Sequence, residues 1–284
     1  MRESAYFSRK HRAGRWRYNW SWISRERRRT RMQFHPPAIV SRVLLAALLV
    51  AFGAQAQKSD YAREKRWAGE IVPALVVGEA VQLQAAKHEF LGLYTAAKNP
   101  KIAIVLAHGL GIHPDLGLIG SLRVRLADAG YATLSIQMPI LAADAPAARY
   151  VGLFPEADAR LAAAVEFLRK KGLRKFALVS HSMGSRMANH YLYQDPKSRF
   201  SAWVALSVSS GKFEPLGKLK LPVYDVYAEH DLEAVVQGAA DRAKVLRRIR
   251  GSSQTMVFGT DHFFAKKEKE LATLISLLLE GEKK

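Results

Sequence analysis

The sequence contains no cysteine and has far fewer acidic than basic residues. With no cysteine among its 284 residues, a disulfide framework and thiolate metal sites are excluded. The chain has 44 Lys and Arg residues against 25 Asp and Glu residues. Residues 57–284 keep 32 Lys and Arg residues against 23 Asp and Glu residues, and because a basic surface attracts anions, this excess favours weak peripheral contact with an anionic membrane surface.

The basic excess is concentrated in residues 1–31, which carry a local charge of +9. An Arg- and Trp-rich arm of this kind is typical of nucleic-acid binding. The arm is followed, however, by Met32 and an export-like segment, which would carry the chain away from nucleic acid. We therefore expect Met32 to be the initiator, residues 1–31 to be a disordered upstream extension, and no nucleic-acid partner.

No apolar run in the sequence is long enough to span a bilayer comfortably. The run Val43 to Gly53 is preceded by one Arg and followed by the small-x-small triplet that ends at Ala56. This order predicts a signal peptide over residues 32–56, cleaved after Ala56, and a periplasmic or secreted protein. A twin-arginine signal is a weaker alternative, because Arg31 stands where such motifs usually have an aromatic residue.

The chain after Ala56 has no internal repeat and no low-complexity linker. Its 228 residues are enough for one α/β domain to bury a core without disulfides. We expect an N-terminal segment over residues 57–69 and a single domain over residues 70–284. The 14 residues from Val208 to Leu221 leave no room for a large lid, whereas the apolar loop Pro139 to Phe154 is expected to form a smaller cover.

Extended apolar segments alternate with helical patterns through residues 70–284, which is typical of βαβ units and a mostly parallel sheet. The first two of eight predicted strands alternate in polarity and should form an antiparallel edge hairpin. The predicted strands are Val81–Gln84, His88–Thr95, Ile102–Ala107, Ala132–Ile136, Phe176–Ser180, Ala202–Ser207, Val223–Tyr227 and Gln254–Phe258. The predicted helices are Leu116–Ala129, Pro155–Lys171, Met183–Tyr193, Leu232–Arg248 and His262–Leu279.

Ser182 follows a predicted central strand and begins a predicted helix. Serine is also a common helix N-cap, so this position alone does not distinguish a nucleophile from a cap. A nucleophile elbow needs small residues two before and two after the serine, because the turn brings the strand and helix backbones together. Ser180 and Gly184 meet that need, although Ser180 stands where glycine is usual.

An elbow serine needs an imidazole to accept its proton and a carboxylate to orient that imidazole, in the chain order serine, acid, histidine. Asp231 and His262 each follow a predicted strand, and ligands bind beyond the carboxyl ends of strands in open α/β sheets. They are therefore the predicted acid and base. The alternative or structural acids are Asp225, Glu229, Glu233 and Asp261, and the histidines expected to lie off the path of the serine proton are His181, His190 and His230.

The segment "HGLG", His108 to Gly111, follows another predicted central strand. Its glycines let backbone amides approach a substrate, and the N–H groups of Leu110 and Met183 are the predicted oxyanion donors. The same segment could instead form only a tight strand-to-helix turn. A metal site built from His108, His113 and Asp115 is the weaker alternative, because one loop would supply all three ligands, and no metal or organic cofactor is expected.

The elbow, "HGLG", "AEHD" and "GTDHFF", in this order, resemble the α/β-hydrolase superfamily from about Glu70 to the C-terminus. The stretch "HGLGIHPDLGLIGSLRVRLADAGYATLSIQMPIL" is similar to an uncharacterised family of small bacterial α/β-hydrolase-like exported proteins. The resemblance implies an α/β-hydrolase fold, with a mostly parallel, twisted sheet of about eight strands, helices on both faces and no large lid domain. The narrower family implies no substrate.

The predicted function is that of a serine hydrolase that cleaves a small-molecule carboxylic ester or thioester through an acyl-enzyme on Ser182. The apolar segment Pro139 to Phe154 suggests an acyl or aromatic group on the substrate. A second hypothesis is a catalytically inactive protein of this fold that acts as an envelope binding or assembly partner, since a fold does not dictate activity. Covalent labelling of Ser182 by a fluorophosphonate would separate the two.

Overall fold

A computed structural model describes residues 57–216 and 219–281. The predicted upstream extension and signal peptide lie outside these residues and stay predictions. Within the described residues, no helix is long and apolar enough to cross a membrane.

One eight-stranded sheet runs through the described chain, and all eight strands correspond to predicted ones. The strands are β1 Glu79–Ala85, β2 His88–Thr95, β3 Ala103–Ala107, β4 Ala132–Ile136, β5 Phe176–His181, β6 Phe200–Leu206, β7 Val223–His230 and β8 Ser253–Asp261. Their order in the sheet is β1-β2-β4-β3-β5-β6-β7-β8. The predicted hairpin is confirmed, because β1 and β2 pair antiparallel at one edge. The β2–β4 pair is also antiparallel, and the remaining neighbours are parallel.

Helices cover both faces of this sheet and pack against it in two separate apolar cores. The strands β3, β4 and β5 are buried along their whole length, as apolar strands in a doubly covered parallel sheet are. The predicted fold class is therefore confirmed. The helices are α1 Tyr61–Ala74, α2 Gly117–Asp128, α3 Phe154–Lys170, α4 Met183–Gln194, α5 Glu233–Gln237, α6 Ala239–Leu246 and α7 Glu268–Glu280, with a 3-10 helix at Ala147–Leu153.

The C-terminal helix begins later than the sequence predicts. The prediction of a helix from His262 is wrong, because α7 begins at Glu268. Between β8 and α7 the chain turns instead, with Phe264 and Lys266 at φ values of +54° and +63°. Phe264 is fully buried, so this turn places an aromatic side chain in the core and leaves His262 at the edge of the sheet.

The predicted helix Leu232–Arg248 is also wrong as one element, because it is broken at Gly238 into α5 and α6. A Cβ atom on Gly238 would lie 1.8 Å from the carbonyl oxygen of Gly211. Only glycine allows this close approach of two backbones. The break at Gly238 therefore lets this helical segment pack directly against the loop that follows β6.

The helix α1 has no counterpart among the predicted helices, and it spans residue 70, where the sequence predicts the domain to begin. Asp60 caps it by accepting from the N–H of Arg63 at 3.0 Å. The preceding residue is tied to the loop after β4, since Ser59 Oγ is 2.9 Å from the carbonyl oxygen of Ile140 and 2.7 Å from its nitrogen. The segment before residue 70 is thus attached to the loop after β4 by specific hydrogen bonds.

Candidate active site

Ser182 lies on the sharp turn between β5 and α4. Its backbone has φ of +56° and ψ of −116°, a conformation that costs a non-glycine residue about 1–3 kcal/mol. The Ser182 N–H donates to the carbonyl of Leu206 at 2.9 Å, and the Ser182 carbonyl accepts from the N–H of Ser185 at 3.1 Å. The backbone on both sides of the turn therefore holds Ser182 in a strained conformation.

The small residues around this turn have different reasons to be small. A Cβ atom on Gly184 would lie 2.3 Å from the carbonyl oxygen of His108, so the helix can approach β3 only with glycine there. Ser180 stands in place of the usual glycine, but its Oγ accepts from the indole Nε1 of Trp203 at 2.8 Å and donates to Ser185 Oγ at 3.1 Å. The extra hydroxyl is thus accommodated by a buried polar chain.

The structure brings together Ser182, His262 and Asp231, which lie after three different strands. His262 Nε2 is 2.9 Å from Ser182 Oγ, and His262 Nδ1 is 2.6 Å from Asp231 Oδ1. Because a carboxylate only accepts hydrogen bonds, the Nδ1–H donates to Asp231 and the Nε2 lone pair faces the serine hydroxyl. Ser182 is 8% and His262 7% exposed, so both side chains border a cavity rather than open solvent.

Asp231 is held in its ionised form by its surroundings. Burial disfavours the charged carboxylate, but hydrogen bonds from His262, Ser207 and the Ala228 N–H outweigh it and hold the pKa of Asp231 below its ordinary value. Ser207 Oγ donates to Oδ2, and the Leu232 N–H donates to Oδ1 at 2.8 Å. The Asp231 side chain is fully buried, so these donors fix its orientation toward the imidazole.

The four alternative carboxylates are each hydrogen-bonded elsewhere. Asp225 Oδ2 lies 2.8 Å from Arg242 Nε inside the sheet. Asp261 Oδ1 accepts from the Phe263 N–H at 3.0 Å and so shapes the turn after β8. Glu229 accepts from the N–H of Gly259 and Glu233 from the side chain of Gln237. Asp231 is therefore the acid that the structure brings to His262.

His181, immediately before the serine, supports His262 through its backbone. Its Nε2–H donates to the His262 carbonyl at 2.8 Å, and the two rings lie 4.9 Å apart. Burial lowers the pKa of His181 to about 4, so the ring is neutral at neutral pH. The other two histidines that the sequence set aside lie elsewhere, with His190 bound to Asp158 and His230 exposed.

His108 fixes the loop that approaches the serine. Its Nδ1–H donates to the Gly109 carbonyl at 2.8 Å, and its Nε2 accepts from the Met138 N–H at 2.9 Å. Burial lowers the pKa of His108 to about 3, so this ring also stays neutral. A Cβ atom on Gly109 would lie 3.2 Å from the Ser182 Cβ, which shows how closely the loop and the elbow approach.

Leu110 and Met183, the predicted oxyanion donors, line the same cavity as Ser182 and His262. Met183 is the first residue of α4, where a backbone N–H has no acceptor within its own helix. The positive end of the helix dipole lies at the same point. Both residues therefore border the cavity beside Ser182, and their role as oxyanion donors stays a prediction.

The alternative metal ligands on this loop have other contacts. Asp115 accepts from Arg123 Nε at 2.7 Å, and its own N–H donates to the His113 ring at 3.3 Å. Within residues 57–216 and 219–281, no group of three potential ligands is arranged to hold a metal ion.

A cavity of about 380 Å³ opens at Ser182. Its walls are mostly apolar, and Ala147, from the segment predicted to form a cover, contributes to one of them. Sequence reasoning singled out Leu110 and Met183 but missed other lining residues, because these become neighbours only through the fold. The missed residues are Ile112, Arg186, Ser209, Leu232 and Phe263.

The fold is that of the α/β hydrolases, as solved structures with similar architecture show. A dienelactone hydrolase from Anabaena variabilis is 16% identical, with a TM-score of 0.56 over 71% of this chain and 96% of that chain. The Xanthomonas campestris protein XC6422, described as an α/β serine hydrolase without lid, is 13% identical, with a TM-score of 0.59 over 73% and 95%. The carboxylesterase CesB from Bacillus subtilis is 14% identical, with a TM-score of 0.55 over 78% and 97%.

Sequence comparison gives a narrower likeness. Residues 43–157 match the family model described as a protein of unknown function, DUF3530, which is consistent with the uncharacterised family that the "HGLG" segment resembles. Among curated proteins none matches the chain in sequence.

Proposed function

We propose that the protein is a serine hydrolase that cleaves carboxylic esters or thioesters, with Ser182 as nucleophile, His262 as base and Asp231 as the acid that orients the base. One observation carries the proposal: Ser182 Oγ, the His262 ring and the Asp231 carboxylate form a continuous hydrogen-bonded chain, with distances of 2.9 and 2.6 Å. This hydrogen-bonded chain of three side chains ends at the cavity, where a substrate carbonyl can reach the serine.

In the first half of the reaction, Ser182 Oγ attacks the substrate carbonyl carbon while its proton passes to His262 Nε2. The imidazolium that forms is stabilised by the Asp231 carboxylate, which stays ionised. The carbonyl oxygen becomes an oxyanion and accepts from the N–H groups of Leu110 and Met183, where one such donor is worth ~3 kcal/mol. Collapse of this intermediate breaks the bond to the alcohol or thiol, which leaves with the proton from His262.

In the second half, water attacks the acyl carbon of the Ser182 ester. His262 Nε2 takes a proton from that water, and the same two N–H groups stabilise the second oxyanion. Breakdown releases the carboxylic acid and returns the proton to Ser182 Oγ. Each residue therefore acts twice, and His262 ends the cycle in the tautomer in which it began.

Labelling with a fluorophosphonate tests the proposal directly, because the probe reacts with an activated serine rather than with an N-cap serine. We expect the purified protein to form a covalent adduct at Ser182, located by peptide mass spectrometry, and Ser182→Ala to form none. The buried Ser185, three residues further along α4, is the matched control, and Ser185→Ala should still be labelled at Ser182.

A folded wild-type protein that is neither labelled nor able to hydrolyse 4-nitrophenyl butyrate would contradict the proposal. It would favour the inactive envelope binding protein instead. Circular dichroism of the same sample separates this outcome from misfolding.

A further inference from the structure

Arg186 lies in the cavity wall one helical turn after Ser182, and its guanidinium has no carboxylate partner. Its backbone N–H donates to the Ser182 carbonyl at 3.3 Å, and its side chain lines the cavity. Long side chains on a helix point back toward the N-terminus, which here is the serine end. Across the described residues, no carboxylate oxygen lies within 4 Å of the guanidinium.

In the part of the chain that the structure describes, the three buried arginines are each paired with a carboxylate. Arg123 pairs with Asp115, Arg242 with Asp225, and Arg160 with the carboxylates of Glu64 and Glu156. Such pairing is expected, because a charge removed from water is costly unless it is neutralised. Arg186 is half-buried and has no such acid partner.

The contacts of Arg186 within the protein are with soft, uncharged groups. Its guanidinium carbon is 5.6 Å from the centre of the Phe154 ring, and its Nη1 is 3.8 Å from the sulfur of Met183. Burial lowers the pKa of Arg186, and the charge of Glu214 only partly offsets this. These contacts orient the guanidinium but leave most of its N–H donors available to a ligand.

We propose that Arg186 forms a subsite for an anionic group on the substrate, so that the preferred substrates are esters or thioesters that carry a carboxylate. A guanidinium presents paired N–H donors that match a carboxylate, and the apolar walls would contact the carbon chain between the anion and the reacting carbonyl. This inference rests on the proposed function.

Paired substrates test the subsite. In the first pair, mono-4-nitrophenyl succinate is compared with neutral 4-nitrophenyl butyrate, and in the second, 4-acetoxybenzoate with its methyl ester. We expect wild type to prefer the anionic member of at least one pair by kcat/KM. Arg186→Met should reduce that preference about 10- to 100-fold, the range for a charge-assisted hydrogen bond, and Arg186→Lys should retain part of it.

Arg248→Met is the matched control, because it also removes one positive charge. Arg248 is exposed and follows α6, ahead of the start of β8, whereas His262 lies just after the other end of that strand. The control should leave the preference unchanged. An equal loss in Arg248→Met would mean that only the overall charge attracts the substrate, and would overturn the subsite.

Two further measurements separate this inference from the proposed function. If Ser182 is labelled and neutral esters are hydrolysed, but Arg186→Met leaves both substrate ratios unchanged, the subsite is wrong and the hydrolase proposal stands. If neither labelling nor turnover occurs, binding of monoethyl glutarate to folded Ser182→Ala is measured by calorimetry. We expect Arg186→Met in that background to weaken binding at least about tenfold, and an unchanged Kd would overturn the subsite on its own.

Discussion

Asp225 within β7 and Asp231 just after that strand, six residues apart, illustrate how the same chemical group serves different purposes. Asp225 lies inside the strand, with Arg242 at 2.8 Å and the side chain of Gln254 also at 2.8 Å. Asp231 lies just beyond the end of the strand, where it contacts His262 and, through that ring, reaches Ser182. Both side chains are fully buried.

The two carboxylates differ in the side chain that pairs with each of them. The partner of Asp225 is a guanidinium, which only donates hydrogen bonds and has no acceptor atom. The partner of Asp231 is an imidazole, whose second ring nitrogen faces the Ser182 hydroxyl as an acceptor. Asp225 is therefore suited to holding α6 against the sheet, and Asp231 to a proton-transfer site.

The largest expected effect comes from Asp231→Asn. We expect kcat for 4-nitrophenyl butyrate to fall about 10⁴-fold, as it does when the acid of other triads becomes an amide. The amide no longer stabilises the imidazolium or fixes the tautomer that faces Ser182. Thermal unfolding should change little, because the interaction matters most in the transition state.

Glu233→Gln is the control for this change, because Glu233 is an exposed acid two residues further along. This variant should retain most of the wild-type activity. If Asp231→Asn kept near wild-type activity while Asp225→Asn or Glu233→Gln was inactive, the assignment of the acid would be wrong.

Asp225→Asn should have the opposite effect, with lower stability and unchanged activity. Removing one partner of a buried ion pair typically costs 3–5 kcal/mol, because it leaves the other charge uncompensated. We expect urea unfolding to show a loss of about 3 kcal/mol, with kcat per folded molecule close to that of wild type. Equal stability of Asp225→Asn and wild type would remove the distinction between the two aspartates.

The smallest effect is the response of stability to acid. His181 is buried with a pKa of about 4, below its ordinary 6.5, so the unfolded chain binds more protons between these values. The contribution of neutral, buried His181 to the free energy of unfolding is present in full above pH 6.5 and is lost as the pH falls toward 4. His181→Gln should reduce the dependence of the unfolding free energy on pH by up to about 1.4 kcal/mol per pH unit in this window.

His88→Gln, which replaces an exposed histidine, is the control for the acid response and should leave that slope unchanged. Urea titrations at pH 7, 6 and 5 measure the slope for all three proteins. A slope for His181→Gln equal to that of wild type would show that another group governs the acid response around the site.

Chain order and strand ends made much of the architecture predictable. Apolar segments such as Ile102–Ala107 mark central strands whatever their neighbours are, and parallel strands bring their carboxyl ends to one edge. Ser182, Asp231 and His262 could be grouped for that reason before any distance was known. Their catalytic roles stay a prediction until labelling and mutation are done.

The features that escaped prediction depend on contacts between distant parts of the chain. The break at Gly238 is set by the Gly211 carbonyl, and the late start of α7 by the burial of Phe264. The helix α1 had a local signal, since Asp60 precedes a run rich in Arg, Glu and Ala, but Pro73 within it weakened the pattern. Arg186 has no sequence signal, because being unpaired is a property of the folded surroundings.

The hydroxyl of Ser180 also makes a nearby tryptophan a spectroscopic probe of the elbow. It accepts a hydrogen bond from Trp203, whose ring is fully buried 5.5 Å from that of Phe213. An indole changes its emission when its N–H bond or its surroundings change, so Trp203 is a natural optical probe attached to the elbow. If tryptophan were replaced by fluorotryptophan, the fluorine NMR signal of Trp203 would report on the turn that carries Ser182, with no label placed in the cavity.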